Sequence, residues 1–394
     1  MRKAKVLICG ASIGGPALAY WLHRYGFEVT VVERAPGPRP GGQAIDVRGP
    51  ALDVLERMGV LEEVRRHGTG LRGMSMVDDE GRELFSTTER TASGGDLESP
   101  DVEILRDDLA AILFTAGEEQ IDYVFDDAVA ALEQDAEEVR VVFRSGAART
   151  FDLVVGADGV HSDTRRLVFG PEEKFLRHLG GYLGVWTVPN ELGLHRWQVV
   201  YQMPGNPWGA MIMSVRDDTE ARVYVGIESP EPPAGFLPPS AREQKQLVAD
   251  RFAKAGWQMP RLLEHMWDAP DFHFDAMAQI HMDSWTQGRV ALLGDAGYCG
   301  SPASGQGTTM ALVGAYVLAG ELGTAEGDHR TAFTAYGDRL RAYVAANQEL
   351  ALTNIAQMRA RHPDFSEDAM AAPSAEAPRY ETPDIIDGFQ IRDY

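Results

Sequence analysis

The sequence predicts an α/β fold in which a parallel-sheet domain is interrupted by a smaller β-sheet unit and closed by a long C-terminal helix. Three observations carry this. Val6-Leu7-Ile8-Cys9 is a short, fully apolar run and Val29 to Val32 a second strand, on either side of a helical pattern; a fully apolar run has the look of a strand buried on both faces of a parallel sheet. From about Gly180 to Ile227 the chain turns strand-rich and aromatic, with Tyr182, Trp186, Trp197, Tyr201, Trp208 and Tyr224. Val290 to Leu293 then restores the buried-strand composition, followed by a glycine-rich turn and a helix.

The elements follow in order. Behind the strand Val6 to Cys9, the stretch Gly14 to Tyr25 places Leu18, Trp21 and Leu22 on one helical side, with Gly26 positioned to end the helix. Val29 to Val32 is the second strand and ends at Glu33. Strand, helix and strand within about thirty residues make a βαβ unit with a right-handed crossover. Leu109, Ile112 and Leu113 mark a further helix, and Val139 to Phe143 and Phe151 to Val155 read as strands around a Ser145-Gly146 turn. Pro230 to Pro239 is a proline-rich bend. A helix is expected from about Thr309, and a longer one from about Arg330 to Arg361. On the latter, Phe333, Tyr336, Leu340, Tyr343, Asn347 and Leu350 recur at helical spacing, as a bridge between the two sheet units would require. Past Pro363 no periodicity remains, so the tail is expected to lie over the surface or to be mobile.

The expected boundaries are residues 1-72, 101-175 and 278-328 for the parallel-sheet domain and 73-100 with 176-277 for the inserted sheet domain. Residues 329-362 form the helix and 363-394 the tail.

Composition narrows the function classes. An apolar share of 44% and a charged share of 24% over 394 residues are globular values. The formal net charge of −22 repels phosphate backbones and anionic lipid, which argues against nucleic-acid and membrane partners. Two cysteines, Cys9 and Cys299, build no disulfide framework and fit a reducing cytosol. The basic opening Met1 to Lys5 imitates a signal peptide, but the apolar run behind it stops at Gly10; Met310 to Gly320, closed by Glu321, is too short to cross a bilayer. The expectation is a cytoplasmic protein, with a monomer favoured.

The first chemical motif is Gly10-Ala11-Ser12-Ile13-Gly14-Gly15, between a buried strand and a helix. Small residues there let a pyrophosphate approach the backbone, and free N–H groups at the helix start hold its charge. Ser12 stands where a dinucleotide motif usually has its middle glycine. Glu33, at the end of the second strand, is placed to accept hydrogen bonds from an adenosine ribose. The same residues spell G-x-S-x-G, the nucleophile elbow of a serine hydrolase. An elbow needs an oxyanion-forming loop and strands ahead of it, and here it follows the first strand. The motif leaves NAD and FAD both open.

Two further segments separate them. Val154-Val155-Gly156-Ala157-Asp158-Gly159-Val160-His161-Ser162-Asp163-Thr164-Arg165 is a strand entering Asp-Gly. Arg289-Val290-Ala291-Leu292-Leu293-Gly294-Asp295-Ala296 is followed by Pro302 and Gly305-Gln306-Gly307 before a helix. In that order and spacing, the three motifs resemble the single-component FAD-dependent aromatic hydroxylases, the para-hydroxybenzoate hydroxylase-like group, most of all its tetracycline-inactivating and polyketide-tailoring members. The resemblance runs from about Lys5 to the long C-terminal helix. It implies a Rossmann-like FAD-binding domain with an inserted substrate-binding sheet, FAD as cofactor and NADPH or NADH as a transient reductant.

Residue by residue, the resemblance assigns Gly10, Ser12, Ile13, Gly14 and Gly15 to the FAD phosphates and Glu33 and Arg34 to the adenosine half. Arg106 would reach the ribityl and phosphates, Asp295 would bond the ribityl hydroxyls, and Asp158 would support FAD and NAD(P)H handling. Pro302, Gly305 and Gly307 lead into a helix N-terminus whose positive end favours an anionic reduced flavin. Gly41-Gly42-Gln43-Ala44-Ile45-Asp46-Val47-Arg48-Gly49 matches the loop beside the flavin ring, and its glycines suit a ring that swings. Trp186, Trp208, Met211, Met213 and Tyr224 are candidates for an apolar substrate pocket, with core packing as the alternative.

Two departures stand out. Tyr298 replaces the histidine of the usual Gly-Asp-Ala-Ala-His, and the helix after Gly307 lacks the usual asparagine and aspartate. The implied reaction is hydroxylation of an aromatic or polycyclic molecule by dioxygen through a flavin C4a-hydroperoxide, with no catalytic side chain required. A flavin oxidase or reductase of the same fold, or a ligand-sequestering flavoprotein, is the alternative. No metal is expected: His265, His273 and His281 lack metal-ligand spacing.

Overall fold

The computed structural model describes residues 4–203, 206–230, 240–360 and 383–394. Lys5–Cys9 lies inside a six-stranded sheet whose order is Thr286–Gln287, Val290–Leu292, Leu153–Gly156, Lys5–Cys9, Glu28–Val32 and Asp122–Val124. Every neighbouring pair is parallel except the antiparallel edge made by Thr286–Gln287. Both faces are covered, which is why the inner runs Val6 to Cys9, Leu153 to Val155 and Val290 to Leu292 are apolar. On one side Ile8, Val29 and Val31 pack with Leu18 and Trp21 of the helix Gly14–Arg24 and with the helix Gly307–Thr324. On the other, Leu7, Val154 and Val290 meet Val139, Val141 and Phe143 of a three-stranded antiparallel sheet. Each fully buried aliphatic side chain of this kind contributes about 1.5–3 kcal/mol.

One expected strand is two. Ala148–Phe151 closes the three-stranded sheet, whereas Leu153–Gly156 joins the six-stranded one. The chain turns at Asp152, whose N–H donates to the Lys5 carbonyl at 2.8 Å and whose carboxylate accepts from the Lys5 N–H at 2.6 Å.

The second sheet has seven strands in the order His273–Ile280, Leu176–Pro189, Glu220–Glu228, Asn206–Val215, Gln198–Met203, Met74–Val77 and Glu83–Thr87. Its pairs are antiparallel apart from Gln198–Met203 with Met74–Val77. Strand alternation gives it two different faces. Tyr182, Trp186, Val223 and Phe274 pack under the helices Ala241–Arg251 and Met259–Asp268. Val185, Met213, Val215 and Tyr224 turn the other way, toward Leu71 and Leu105 of the first domain.

The long helix His329–Ala360 holds both sheets. Tyr336 donates to the Leu292 carbonyl at 3.0 Å, Gln348 Nε2 donates to the Ile280 carbonyl at 2.8 Å, and Arg359 reaches Glu228 at 3.4 Å. The final segment is not loose over its described length. Ile386 is fully buried, and Tyr394 donates to Glu321 at 2.7 Å. Residues 361–362 of the expected helix, 363–382 of the expected tail, 231–239 of the proline-rich bend and the opening residues 1–3 lie outside the described residues. Among the described residues no helix is long and apolar enough to cross a membrane.

Candidate active site

The first turn is built around two missing side chains. Gly10 has φ +108°, donates its N–H to the Val32 carbonyl at 2.8 Å, and would place a Cβ 2.5 Å from the Ala157 oxygen. A Cβ on Gly15 would lie 1.9 Å from the Gly10 oxygen. Only glycine lets helix and strand meet so closely. Among the described residues no side chain caps the first-turn amides behind Ile13, which is itself buried. Ser12 Oγ faces Arg106 at 3.5 Å. Glu33 braces this turn, accepting from the Ala11 N–H at 2.8 Å and the Ala35 N–H at 2.9 Å, and Arg34 beside it is exposed.

The second motif is fastened to the third. Asp158 accepts from the Thr164 N–H and hydroxyl, each at 2.9 Å, and from the Ser162 hydroxyl, so it pins the start of Asp163–Val168. Burial raises its pKa. Arg165, fully buried, donates to the Ala296 carbonyl at 2.9 Å, the Val160 carbonyl at 2.6 Å and Glu172 at 2.9 Å. His161 lies between Glu172 at 3.0 Å and Asp275 at 3.1 Å. Hydrogen bonds to Asp275 and then Glu172 push its pKa up to about 10.

In the third motif Gly294, at φ +62°, turns the chain into Asp295. Asp295 presents surface to solvent, and desolvation by the surrounding protein raises its pKa. A Cβ on Gly14 would lie 3.3 Å from Leu293, and one on Gly294 3.4 Å from Ala311. The first turn, the Gly-Asp turn and the helix Gly307–Thr324 are therefore in mutual contact. That helix follows the short 3₁₀ turn Pro302–Ser304 and Gly305, at φ +65°. Its first amides also carry no side-chain cap among the described residues, and a Cβ on Gly307 would meet nothing within 4 Å. Two open helix starts thus face one region, each able to hold negative charge.

A family model described as "FAD binding domain" matches residues 3–351. The chain is 51% identical over 350 residues to an uncharacterized protein of Mycobacterium tuberculosis, covering 89% of this chain and 93% of that one. It is 39% identical over 357 residues to a flavin-dependent monooxygenase of Legionella longbeachae, covering 88% of each. The solved structure of tetracycline destructase Tet(51) superposes with a TM-score of 0.83 at 36% identity, over 94% of each chain. The chain belongs to the FAD-binding-domain family of flavin-dependent monooxygenases.

A flavin-dependent monooxygenase must seat an extended dinucleotide, and the residues present fit FAD. The glycine turns leave room without side-chain clash, the two helix starts carry amides with no side-chain cap among the described residues, and Asp295 presents a carboxylate to solvent. Arg106 is buried and donates to the Arg39 carbonyl at 2.8 Å and to the Gly41 carbonyl. Burial, with Arg39 nearby, pushes its pKa down to about 10.

The loop expected to be flexible from Gly41 to Gly49 is ordered by arginines. A Cβ on Gly42 would lie 2.5 Å from Arg106 Nε, and Arg222 Nε donates to the Gly42 carbonyl at 3.1 Å. Close approach explains these glycines, and Ala44–Val47 is a strand paired with Val102–Leu105.

On the inner sheet face, Met211, Met213 and Tyr224 stand together, and the Tyr224 hydroxyl accepts from the Ala44 N–H at 2.7 Å. Trp186 is a correction. It is on the opposite face with no exposed surface, and its Nε1 donates to the Leu262 carbonyl at 3.1 Å. Neighbouring positions on a strand point to opposite faces, so Trp186 and the inward Val185 cannot share a pocket. The Trp208 side chain lies outside the described residues. Tyr298, in the histidine position, is buried, and its hydroxyl lies 3.0 Å from the Tyr336 hydroxyl in hydrogen-bond contact. Gly314 makes room for it, since a Cβ there would lie 2.1 Å from the Tyr298 oxygen. His265 approaches Glu191 at 3.3 Å and His281 pairs with Gln279 at 2.8 Å. Sequence reasoning missed Arg165 as the clasp between motifs and Arg222 altogether. A lone arginine inside the apolar strand Glu220–Glu228 was the available signal.

Proposed function

We propose that this monooxygenase hydroxylates an aromatic or polycyclic small molecule of the phenol, polyketide or tetracycline type, with NAD(P)H as reductant and dioxygen as oxygen source. The observation that carries the reading is the close approach of the Gly10–Gly15 turn to Leu293, and of both that turn and Gly294 to Ala311 of the helix that follows Gly305. Similarity to the tetracycline destructase Tet(51) supports a polycyclic substrate.

In this reading the amides after Gly10, with Arg106, hold the pyrophosphate of FAD, Glu33 and Arg34 border its adenosine, and Asp295 holds its ribityl hydroxyls. The Pro302–Gly307 turn presents backbone amides to the pyrimidine edge of the ring, and Asp158 keeps the second motif in shape. The chemistry bound FAD supplies is two-electron uptake from the nicotinamide and activation of dioxygen. The chain orients the substrate against Met211 and Tyr224, with Met213 fully buried in the sheet core, and the two sheets exclude water. No side-chain nucleophile enters.

The test is NADPH and NADH oxidation by the purified holoenzyme over a panel of phenols, tetracyclines and anthraquinones, with isotopically labelled dioxygen. Substrate-dependent oxidation with label in the product is expected. Oxidation without label would replace this reading with an oxidase or reductase.

A further inference from the structure

A cavity of about 380 Å³ opens where the long helix His329–Ala360 passes the segment Ile280 to Trp285, which leads from the second sheet back to the first. Small-molecule sites run from about 300 to 1,000 Å³. No residue assigned above to FAD or to the substrate lines it. Its inner wall is apolar and aromatic, with Phe175, Met282, Trp285 and Tyr298. Trp285 is buried, and its ring centroid stands 4.7 Å from that of Tyr298 and 5.9 Å from that of Tyr336. Tyr298, the residue in the histidine position, thus backs an aromatic wall that no part of the proposed reaction uses.

Three cations surround this wall: Lys174, Arg177 and Arg341, all exposed. Arg341 lays its guanidinium over the Trp285 ring, with Cζ 4.7 Å from the centroid. Stacking engages the face of a guanidinium and leaves its N–H edge free to fork onto a carboxylate or phosphate. Arg177 donates to the Lys174 carbonyl at 3.2 Å and to the Leu176 carbonyl at 3.1 Å. Among the described residues none of the three pairs with a carboxylate. The chain holds 59 acidic residues against 37 basic ones, so cations without an acidic partner stand out; Arg82, Arg165 and Arg216 each have one. Asp283 is the acidic side chain that lines the cavity, which leaves positive charge in excess. His281, on the same lining, feels that field: partial burial, and then the Arg177 charge, lower its pKa.

A cationic rim around an aromatic wall concentrates anions that carry a flat apolar body. A neutral aromatic would leave the guanidinium edge without an acceptor, and an inorganic anion would leave the wall unused. We propose that this cavity is a second ligand site, which takes a planar aromatic anion. Its ring packs against Phe175, Met282 and Trp285, and its carboxylate or phosphate meets Arg341, Lys174 and Arg177. Binding there makes and breaks no covalent bond and stands apart from the flavin.

The test is equilibrium dialysis of the yellow holoenzyme at low salt against 2-naphthoate, 2-naphthyl phosphate and the neutral 2-naphthalenemethanol. At least one anion should bind about tenfold tighter than the alcohol, and the tighter of the two names the head group. Arg341→Gln should weaken that anion about tenfold and leave the alcohol unchanged. Lys174→Glu, a charge reversal at a second exposed position, should weaken it in the same direction. Both side chains are exposed, so each variant should keep the parent's melting temperature without probe. The visible flavin spectrum should not move on saturation. Equal affinity for anions and alcohol, undiminished anion binding in Arg341→Gln or Lys174→Glu, or a flavin band that shifts as the anion binds would each overturn the proposal, the last by placing the probe in the reaction site.

Discussion

A Cβ on Gly15 would sit 1.9 Å from a backbone oxygen that has no freedom to retreat, because Gly10 is tied on its other side to Val32 and Ala157. Gly15→Ala is expected to weaken FAD binding at least about tenfold, read from the flavin absorbance retained through gel filtration. Full retention would remove the first turn from the site. On the proposed reading Asp295 acts through charge. Its raised pKa means that acidification neutralises it before ordinary carboxylates. A charge-assisted bond to the ribityl hydroxyls is then lost, so FAD affinity should fall as pH drops toward the carboxylate range. Asp295→Ala should bind FAD weakly and show less of that pH dependence. Trp186→Phe separates core from pocket. It should cost about 1–3 kcal/mol in denaturant unfolding and leave the spectrum and ligand binding unchanged. These site residues divide by legibility in the same way. The glycines were readable because turns and close approach demand glycine in any context, whereas Trp285 and Arg341 are distant in sequence and meet only through the fold.

At the scale of elements, the parallel strands were legible because burial on both faces leaves an unbroken apolar run, as in Val6 to Cys9. Phe151 to Val155 was read as one strand because apolar content does not say which sheet a residue joins. Ala44–Val47 escaped notice because its four residues are mostly half-buried and its partner is distant in sequence. The described C-terminal segment is a further case, since a polar stretch without periodicity still docks through a few residues. Asp393 pairs with Arg57 at 2.7 Å, and the Tyr394 ring occupies the notch left by Gly320. Deleting Pro383 to Tyr394 should lower the melting temperature by a few degrees, consistent with losing about 2–4 kcal/mol of burial. FAD content should be unchanged, and a loss of flavin would tie the tail to the site.

Across the whole molecule, the second sheet is fixed to the first by the long helix, by packing on Leu71 and Leu105, and by polar links from Arg222 to Gly42, Tyr224 to Ala44, Arg216 to Asp107 and Asp108, and His161 to Glu172 and Asp275. A histidine held charged, with its pKa raised to about 10, adds stability that is full below its ordinary value and is lost as pH rises through about 10. His161→Gln should therefore melt below the parent at neutral pH and converge with it above about pH 10; parallel melting curves at all pH values would show that this link contributes nothing. The order of motifs along the chain foretold the cofactor, while the placement of the second sheet's two faces did not follow from composition.

The most direct measurement is the ratio of FAD to chain in the purified protein, from its visible spectrum before and after incubation with excess FAD. A ratio near one after reconstitution, falling sharply in Gly15→Ala, is the predicted result. A protein that stays colourless in excess FAD would contradict the assignment of all three turns at once.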